Sequence, residues 1–175
     1  MNNFKIKLFI TDIDGVWTDA GMYYDNKDNE LKKFNTKDAI GVFFLKLLNI
    51  ETVIISSENT NIVKRRANKL GIDNCFLGVE NKLDLCVDIC KQQNIKLNEL
   101  AFIGDEINDL NLIENVGLSA CPADAASYIK KEADWIMTRK GGDGAYREFV
   151  IKYLKHIGKM DEVIAKSKEF YKSKK

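Results

Sequence analysis

The sequence predicts an α/β fold: a three-layer, Rossmann-like parallel sheet with a β-hairpin protruding after its first strand. Three observations predict it. Compact apolar runs alternate with longer segments of helical period along the chain, the pattern of repeated strand–helix–strand units. Polar clusters recur where those runs end, at Asp12/Asp14, Ser56/Ser57 and Asp105, and parallel sheets place their sites at the carboxyl ends of strands. At 175 residues, 45% of them hydrophobic, the chain has enough interior for one well-filled core and little room for a second. Residues 1–175 are therefore read as a single domain.

The first strand is the apolar run over 5–11, ending in Asp12. Residues 22–25 and 31–35 flank the polar turn Asn26-Lys27-Asp28-Asn29 and read as the hairpin. Apolar residues over 39–48 fall on helical spacing, 51–56 is strand-like, and 60–70 is a basic helix closed by Gly71. A short strand over 75–77 precedes a helix from Lys82 to about 92. Strand 100–103 ends in Gly104-Asp105, and helix 109–114, strand 118–121, helix 123–131 and strand 135–138 complete the alternation. From about 152 the chain holds eight Lys against Asp161, Glu162 and Glu169, a charge of +5 that leaves −4 elsewhere. This basic helical tail reads as solvated.

Composition excludes several classes of function. Lys plus Arg number 27 against 26 Asp plus Glu, so no global field favours nucleic acid or anionic lipid. No apolar run approaches the length of a bilayer span. The start lacks the long apolar stretch of a signal peptide, since Asp12 and Asp14 follow at once. The expectation is a soluble, cytoplasmic protein with neither nucleic acid nor membrane as partner. His156 is the single histidine, so acid–base chemistry falls to carboxylates, Lys or Tyr. Cys75, Cys86, Cys90 and Cys121 form no C-x-x-C pair and read as buried thiols.

Asp12-Ile13-Asp14-Gly15 stands where a buried strand turns, with Gly15 allowing a tight bend. Two carboxylates this close repel, and a divalent cation relieves that repulsion. Mg²⁺ suits the need, being hard, oxygen-seeking and accustomed to keeping water or phosphate in its shell. Asp105, at another strand end, could supply a further ligand. Taken alone, the two aspartates also read as caps of a turn. A calcium loop fails because Val16 stands where Asp or Asn is needed, and no phosphate-binding P-loop pattern occurs. Lys82 alone reads either as a phosphate ligand or as a solvated lysine in the first turn of a helix.

Taken together and in order, these residues resemble the haloacid dehalogenase-like phosphatases. The resemblance runs from about residue 8 to 149 through four motifs. They are Asp12-Ile13-Asp14-Gly15-Val16-Trp17-Thr18, Ser56 after Val53-Ile54-Ile55, Lys82, and Gly104-Asp105 with Asn108-Asp109. It implies that Asp12 attacks phosphorus to form an aspartyl-phosphate. Asp14 protonates the leaving alkoxide and then activates the hydrolytic water. Asp12, Asp14 through its backbone carbonyl, and Asp105 hold Mg²⁺. Ser56, Ser57 and Lys82 bind the phosphoryl oxygens, and Glu106, Asn108 and Asp109 form an outer shell. Charge logic agrees, because a carboxylate can approach a phosphate dianion only if cations and N–H groups offset the repulsion.

Asp14 lies 42 positions before Ser56, and Lys82 lies 23 before Asp105. A hairpin, a helix and a strand fill those gaps, leaving no space for a cap domain. Thr18-Asp19, Lys37-Asp38 and Gly141-Gly142-Asp143-Gly144-Ala145-Tyr146-Arg147-Glu148 resemble the capless sugar-acid phosphatases. That branch implies a homotetramer built by the hairpins, with neighbouring subunits completing each site. Glu58, Arg66 and Lys69 match residues that contact the sugar acid in the nonulosonate 9-phosphate enzymes, whereas octulosonate 8-phosphate enzymes carry Arg where Glu58 stands. The expectation is therefore a nine-carbon nonulosonate 9-phosphate substrate. The alternatives are 3-deoxy-manno-octulosonate 8-phosphate of lipopolysaccharide synthesis, or a non-catalytic assembly module accompanying a sugar cytidylyltransferase. Two residues depart from the family pattern: Ser57 replaces a usual Gly and Glu106 a usual Asp.

Overall fold

The computed structural model describes residues 5–174. Residues 1–4, part of the start read as lacking a signal peptide, and Lys175, the end of the basic tail, lie outside them. The strands are β1 (Leu8–Thr11), the hairpin pair β2 (Tyr23–Tyr24) and β3 (Glu30–Leu31), then β4 (Glu51–Ser56), β5 (Cys75–Leu77), β6 (Leu100–Ile103), β7 (Leu118–Cys121) and β8 (Trp135–Ile136). Six of them form one sheet in the order β5-β4-β1-β6-β7-β8, parallel throughout. The fold class is the one the alternation predicts.

Successive strand residues enter opposite layers, as a period of two requires. Leu8 and Ile10, Val53 and Ile55, Leu100 and Phe102 face α3 (Lys82–Gln93), α4 (Leu110–Ile113) and α5 (Ser127–Glu132). Phe9, Ile54, Ala101 and Ile103 face the layer of α1 (Asp38–Leu47), α2 (Asn61–Leu70), α6 (Ala145–His156) and α7 (Met160–Lys172). Burial on both faces explains why the strands are continuous apolar runs. Three of the four thiols are buried, and burial pushes Cys86 up to about 12 and Cys121 to about 11, so they serve as core.

Local chemistry sets the element ends. Thr60 caps α2 by accepting from the Ile62 amide at 3.2 Å, and Gly71 closes it at φ 66°. The helix expected over 123–131 begins only at Ser127. Pro122 opens a turn in which the Ala126 amide bonds to Asp105 O at 3.1 Å, holding that segment against the site. The strand expected to reach Thr138 ends at Ile136 because Glu148 takes the Thr138 amide at 3.0 Å. Nor does a solvated tail begin at about 152, since Tyr153 and Leu154 are buried core of α6. α7 packs on the same layer, with Val163 buried in the core and Phe170 on Phe43 with ring centroids 5.1 Å apart. No helix among the described residues is long and apolar enough to cross a membrane.

Candidate active site

β1 lies between β4 and β6: the chain runs outward to β5 and returns on the other side of β1. The carboxyl ends of these three strands therefore meet at a switch point. Asp12 extends the ladder by one residue, its amide donating to Ile103 O at 3.0 Å. The following turn is rigid: the amides of Val16, Trp17 and Thr18 all converge on Ile13 O at 2.8–3.2 Å. The buried Trp17 indole donates to Thr11 Oγ1 at 2.8 Å and packs on Tyr146 at 4.8 Å. Gly15 sits at φ 81°, and a methyl there would overlap the Asp105 carboxylate. Gly15→Ala should thus lose about 2 kcal/mol or more of stability and weaken metal binding. Gly71→Ala, strained at φ 66° but spatially open, should cost about 1 kcal/mol and leave metal binding unchanged. Thermal unfolding with and without Mg²⁺ checks the pair.

Oxygens of Asp12, Asp105 and Asp109 lie within 4.8 Å of one another. Lys82 enters from the first turn of α3 with its side chain 1% exposed, 2.9 Å from Asp12 Oδ2 and 2.6 Å from Asp109 Oδ1. It is not a solvated lysine; a buried ammonium requires such partners. Burial would lower its pKa, yet the two aspartates hold it above its ordinary range. Burial, then repulsion from Asp109, pushes Asp12 up to about 7 against the pull of Lys82. Burial, Asp12 and Asp109 together push Asp105 to about 8. When all three carboxylates are ionised they exceed the one ammonium by two negative charges, and Asp105 Oδ1 is buried without a hydrogen-bond partner. That oxygen and that charge fit a hard divalent cation.

Asp109 joins this cluster but acts as a clamp. Its Oδ2 accepts from the amides of Asp105 at 2.8 Å and Glu106 at 3.3 Å while Oδ1 holds Lys82. A side chain at Gly104 would collide with it. The Asp14 carboxylate is not in the cluster. It accepts from Thr18 Oγ1 at 3.1 Å and pairs with Lys32 Nζ at 2.6 Å, so its backbone carbonyl is what it can offer a metal.

The remaining expected residues divide. Ser56 Oγ is buried and accepts from the Glu58 amide at 3.2 Å. The Ser57 hydroxyl is engaged within the protein: its proton goes to Val79 O at 3.1 Å, and it accepts from Asn108 at 2.9 Å. Its hydroxyl thereby ties the second motif to the fourth. The Glu106 carboxylate is not one of the three clustered carboxylates, accepting instead from the Ile107 amide at 2.7 Å and from the Tyr128 hydroxyl. Glu58 is exposed beside Ser56. Arg66 reaches back to Asn35 O at 3.3 Å and lies 5.8 Å above the Phe34 ring. Lys69 stands near the far end of α2, about 12 Å along the axis from Asn61, beside Phe43 and Phe170. The structure does not bring Lys69 to Asp12 of the same chain.

Sequence reasoning missed Lys32 and the role of Gly141-Gly142. The Gly142 amide donates to Val16 O at 3.1 Å, the Gly141 amide to Asp124 Oδ1 at 2.9 Å, and a methyl at Gly141 would strike Gly15 O. The Gly-Gly pair itself was the available signal. Lys32 carried none, being one lysine among many in a polar hairpin.

Comparison with known proteins agrees with this geometry. The haloacid dehalogenase-like hydrolase family matches residues 2–149. The chain belongs to that family. The 3-deoxy-D-manno-octulosonate 8-phosphate phosphatase KdsC of Haemophilus influenzae is 36% identical over 171 residues, 98% of this chain and 94% of the relative. The cobalt-bound structure of the H. influenzae octulosonate phosphatase superposes with TM-score 0.83 at 36% identity, covering 88% of this chain and 90% of that one. The Moraxella catarrhalis phosphatase, solved with magnesium, phosphate and KDO, gives TM-score 0.89 at 33% identity over 93% of each chain. These relatives support a phosphoric monoester hydrolase within the haloacid dehalogenase-like family, and metal in both structures accords with the carboxylate cluster found here.

Proposed function

We propose that this chain is a Mg²⁺-dependent phosphatase of a sugar-acid phosphate, and that the ester is 3-deoxy-D-manno-octulosonate 8-phosphate. Similarity to octulosonate phosphatases over nearly the whole chain carries this reading. It favours the eight-carbon substrate over the nine-carbon one that Glu58, Arg66 and Lys69 suggested. Asp12 is the nucleophile, held by its own backbone bond to β6 and by Lys82. Lys82 and Ser56 offset charge on the phosphoryl oxygens, and Asp109 fixes Lys82 and the Asp105 loop. Asp12, Asp105 and the Asp14 carbonyl would hold Mg²⁺, whose charge offsets the repulsion between carboxylate and phosphate. Asp14 gives its proton to the leaving alkoxide and then takes one from the hydrolytic water. An aspartyl-phosphate on Asp12 splits one hard displacement into two.

One observation favours the second reading. Glu58 is exposed beside the phosphate loop, placed to accept from sugar hydroxyls, where the octulosonate enzymes carry Arg. Phosphate release from the eight- and nine-carbon esters, with Mg²⁺ and with chelator, decides between them. Faster Mg²⁺-dependent release from the eight-carbon ester is expected; the reverse order would move the assignment to nonulosonates. Glu58→Arg should then shift preference further toward the eight-carbon acid by about tenfold, the worth of one charged contact.

The assembly is proposed as a homotetramer. Tyr23, Tyr24 and Leu31 of the hairpin are 52%, 69% and 66% exposed, an apolar surface that calls for cover. A neighbouring copy there would also give Arg66 and Lys69 a route to a site other than their own. Sedimentation of wild type against Tyr24→Asp checks it, a smaller species being expected from the variant.

A further inference from the structure

Lys32 follows β3, in a hairpin whose other lysines face solvent. Its side chain is 0% exposed. Nζ lies 2.6 Å from Asp14 Oδ2 and 3.7 Å from Glu30 Oε1. The fold places it there through backbone pairing: Phe34 bridges Thr18 of the turn after β1 in antiparallel fashion. Residues two apart on an extended segment share a face, so Lys32 follows Phe34 inward. Lys33 points the other way, to an exposed pair with Asp19 at 2.8 Å.

Asp14 is thereby gripped from two sides. Thr18 Oγ1 accepts from the amides of Gly15 at 3.4 Å and Ala20 at 3.3 Å, which directs its proton to Asp14 Oδ1 at 3.1 Å. Lys32 takes the other oxygen. The carboxyl is held outside the cluster of Asp12, Asp105 and Asp109, with about a quarter of its side chain, 26%, open to solvent. That open quarter gives a substrate oxygen access to the carboxyl.

We propose that Lys32 is the positioning residue for Asp14, so that the hairpin sets where the acid–base carboxyl stands relative to the leaving oxygen. The proposal rests on the reading that Asp14 serves that oxygen. No bond to Lys32 forms or breaks: Asp14 takes up a proton from solvent through its open edge before turnover, passes it to the departing ester oxygen, regains one from the hydrolytic water, and is held in line by Lys32 throughout. A misplaced acid slows proton transfer without weakening ground-state binding, and a positioned general acid is worth 10²–10⁴ in rate.

The test compares two esters with wild type, Lys32→Met, Lys32→Arg and Lys33→Met. One is the sugar-acid phosphate, whose alkoxide needs a proton to depart. The other is 4-nitrophenyl phosphate, whose phenolate departs without one. Lys32→Met should lose about 100-fold in kcat on the sugar-acid phosphate with KM within about threefold, and less than about threefold in kcat on the aryl ester. Lys32→Arg should restore part of the loss, and Lys33→Met should match wild type on both. Equal losses on the two esters, or none on either, would overturn the positioning role. Wild type inactive on both would overturn the phosphatase reading itself, and the proposal with it.

Discussion

Asp12→Asn is expected to lower turnover by at least about 10⁴-fold, the scale of removing a nucleophile, while the chain remains folded. The substitution keeps the shape of the side chain, so the bond from the Ile13 amide to Oδ1 at 2.7 Å has an acceptor of the same geometry. Lys82 retains Asp109 at 2.6 Å, and the buried ammonium is not stranded. What disappears is the nucleophilic carboxylate. A neutral amide is too weak a nucleophile to attack phosphorus and form the aspartyl-phosphate, so neither half of the reaction proceeds. Single-turnover phosphate release, with circular dichroism as the control for folding, checks this. Activity within about tenfold of wild type would move the nucleophile elsewhere.

Metal-free protein is expected to lose stability as pH rises from 6 to 8, and Mg²⁺ to restore it most at pH 8. Asp12 and Asp105 are raised from 3.8 in an unfolded chain to about 7 and about 8 in the fold, chiefly by burial. Between those values the folded state holds more protons than the unfolded one, so unfolding becomes easier as pH rises. Lys82, raised above its ordinary range, stays charged across this window and adds no slope. Asp38, raised to about 6 by burial, is half titrated at pH 6 and adds to the early part of the same slope. Mg²⁺ binds the deprotonated carboxylates, so its effect runs the opposite way. At a hundred times its Kd it contributes about 2.7 kcal/mol, a rise of roughly 5–10 °C in Tm for a chain of this size. Thermal unfolding at both pH values, with chelator and with Mg²⁺, reads the effect, and Asp105→Asn should flatten the metal-free slope. A metal-free Tm that climbs from pH 6 to 8, or a larger Mg²⁺ shift at pH 6, would contradict the cluster as described.

Both outcomes turn on residues visible in the sequence and on environments that were not. Asp12, Ser56 and Asp105 could be singled out because each stands where an apolar run ends, and a parallel sheet gathers such ends at its switch point; Lys82, in the first turn of a helix, took its role only from the order of the motifs it resembles. The strands were legible for the same reason: burial on both faces writes itself as unbroken apolar runs, and the order of strand and helix follows. Gly71 and Thr60 marked the ends of α2 because capping is local chemistry, carried by residues a few positions apart.

What tertiary structure alone decided is which polar partner each side chain meets. Ser57 gives its proton to Val79 O. Asp14 looked like one of a carboxylate pair until Lys32, 18 positions on, drew it to the hairpin. Asp109, expected in an outer shell, lies within the cluster itself. Lys69 shares a helix with Arg66, yet the length of that helix carries it away from the carboxylates of its own chain. Periodicity and run length record burial, which belongs to single residues and their near neighbours. A hydrogen bond between distant segments depends on backbone paths that meet only once the sheet has closed, and no spacing along the chain records it.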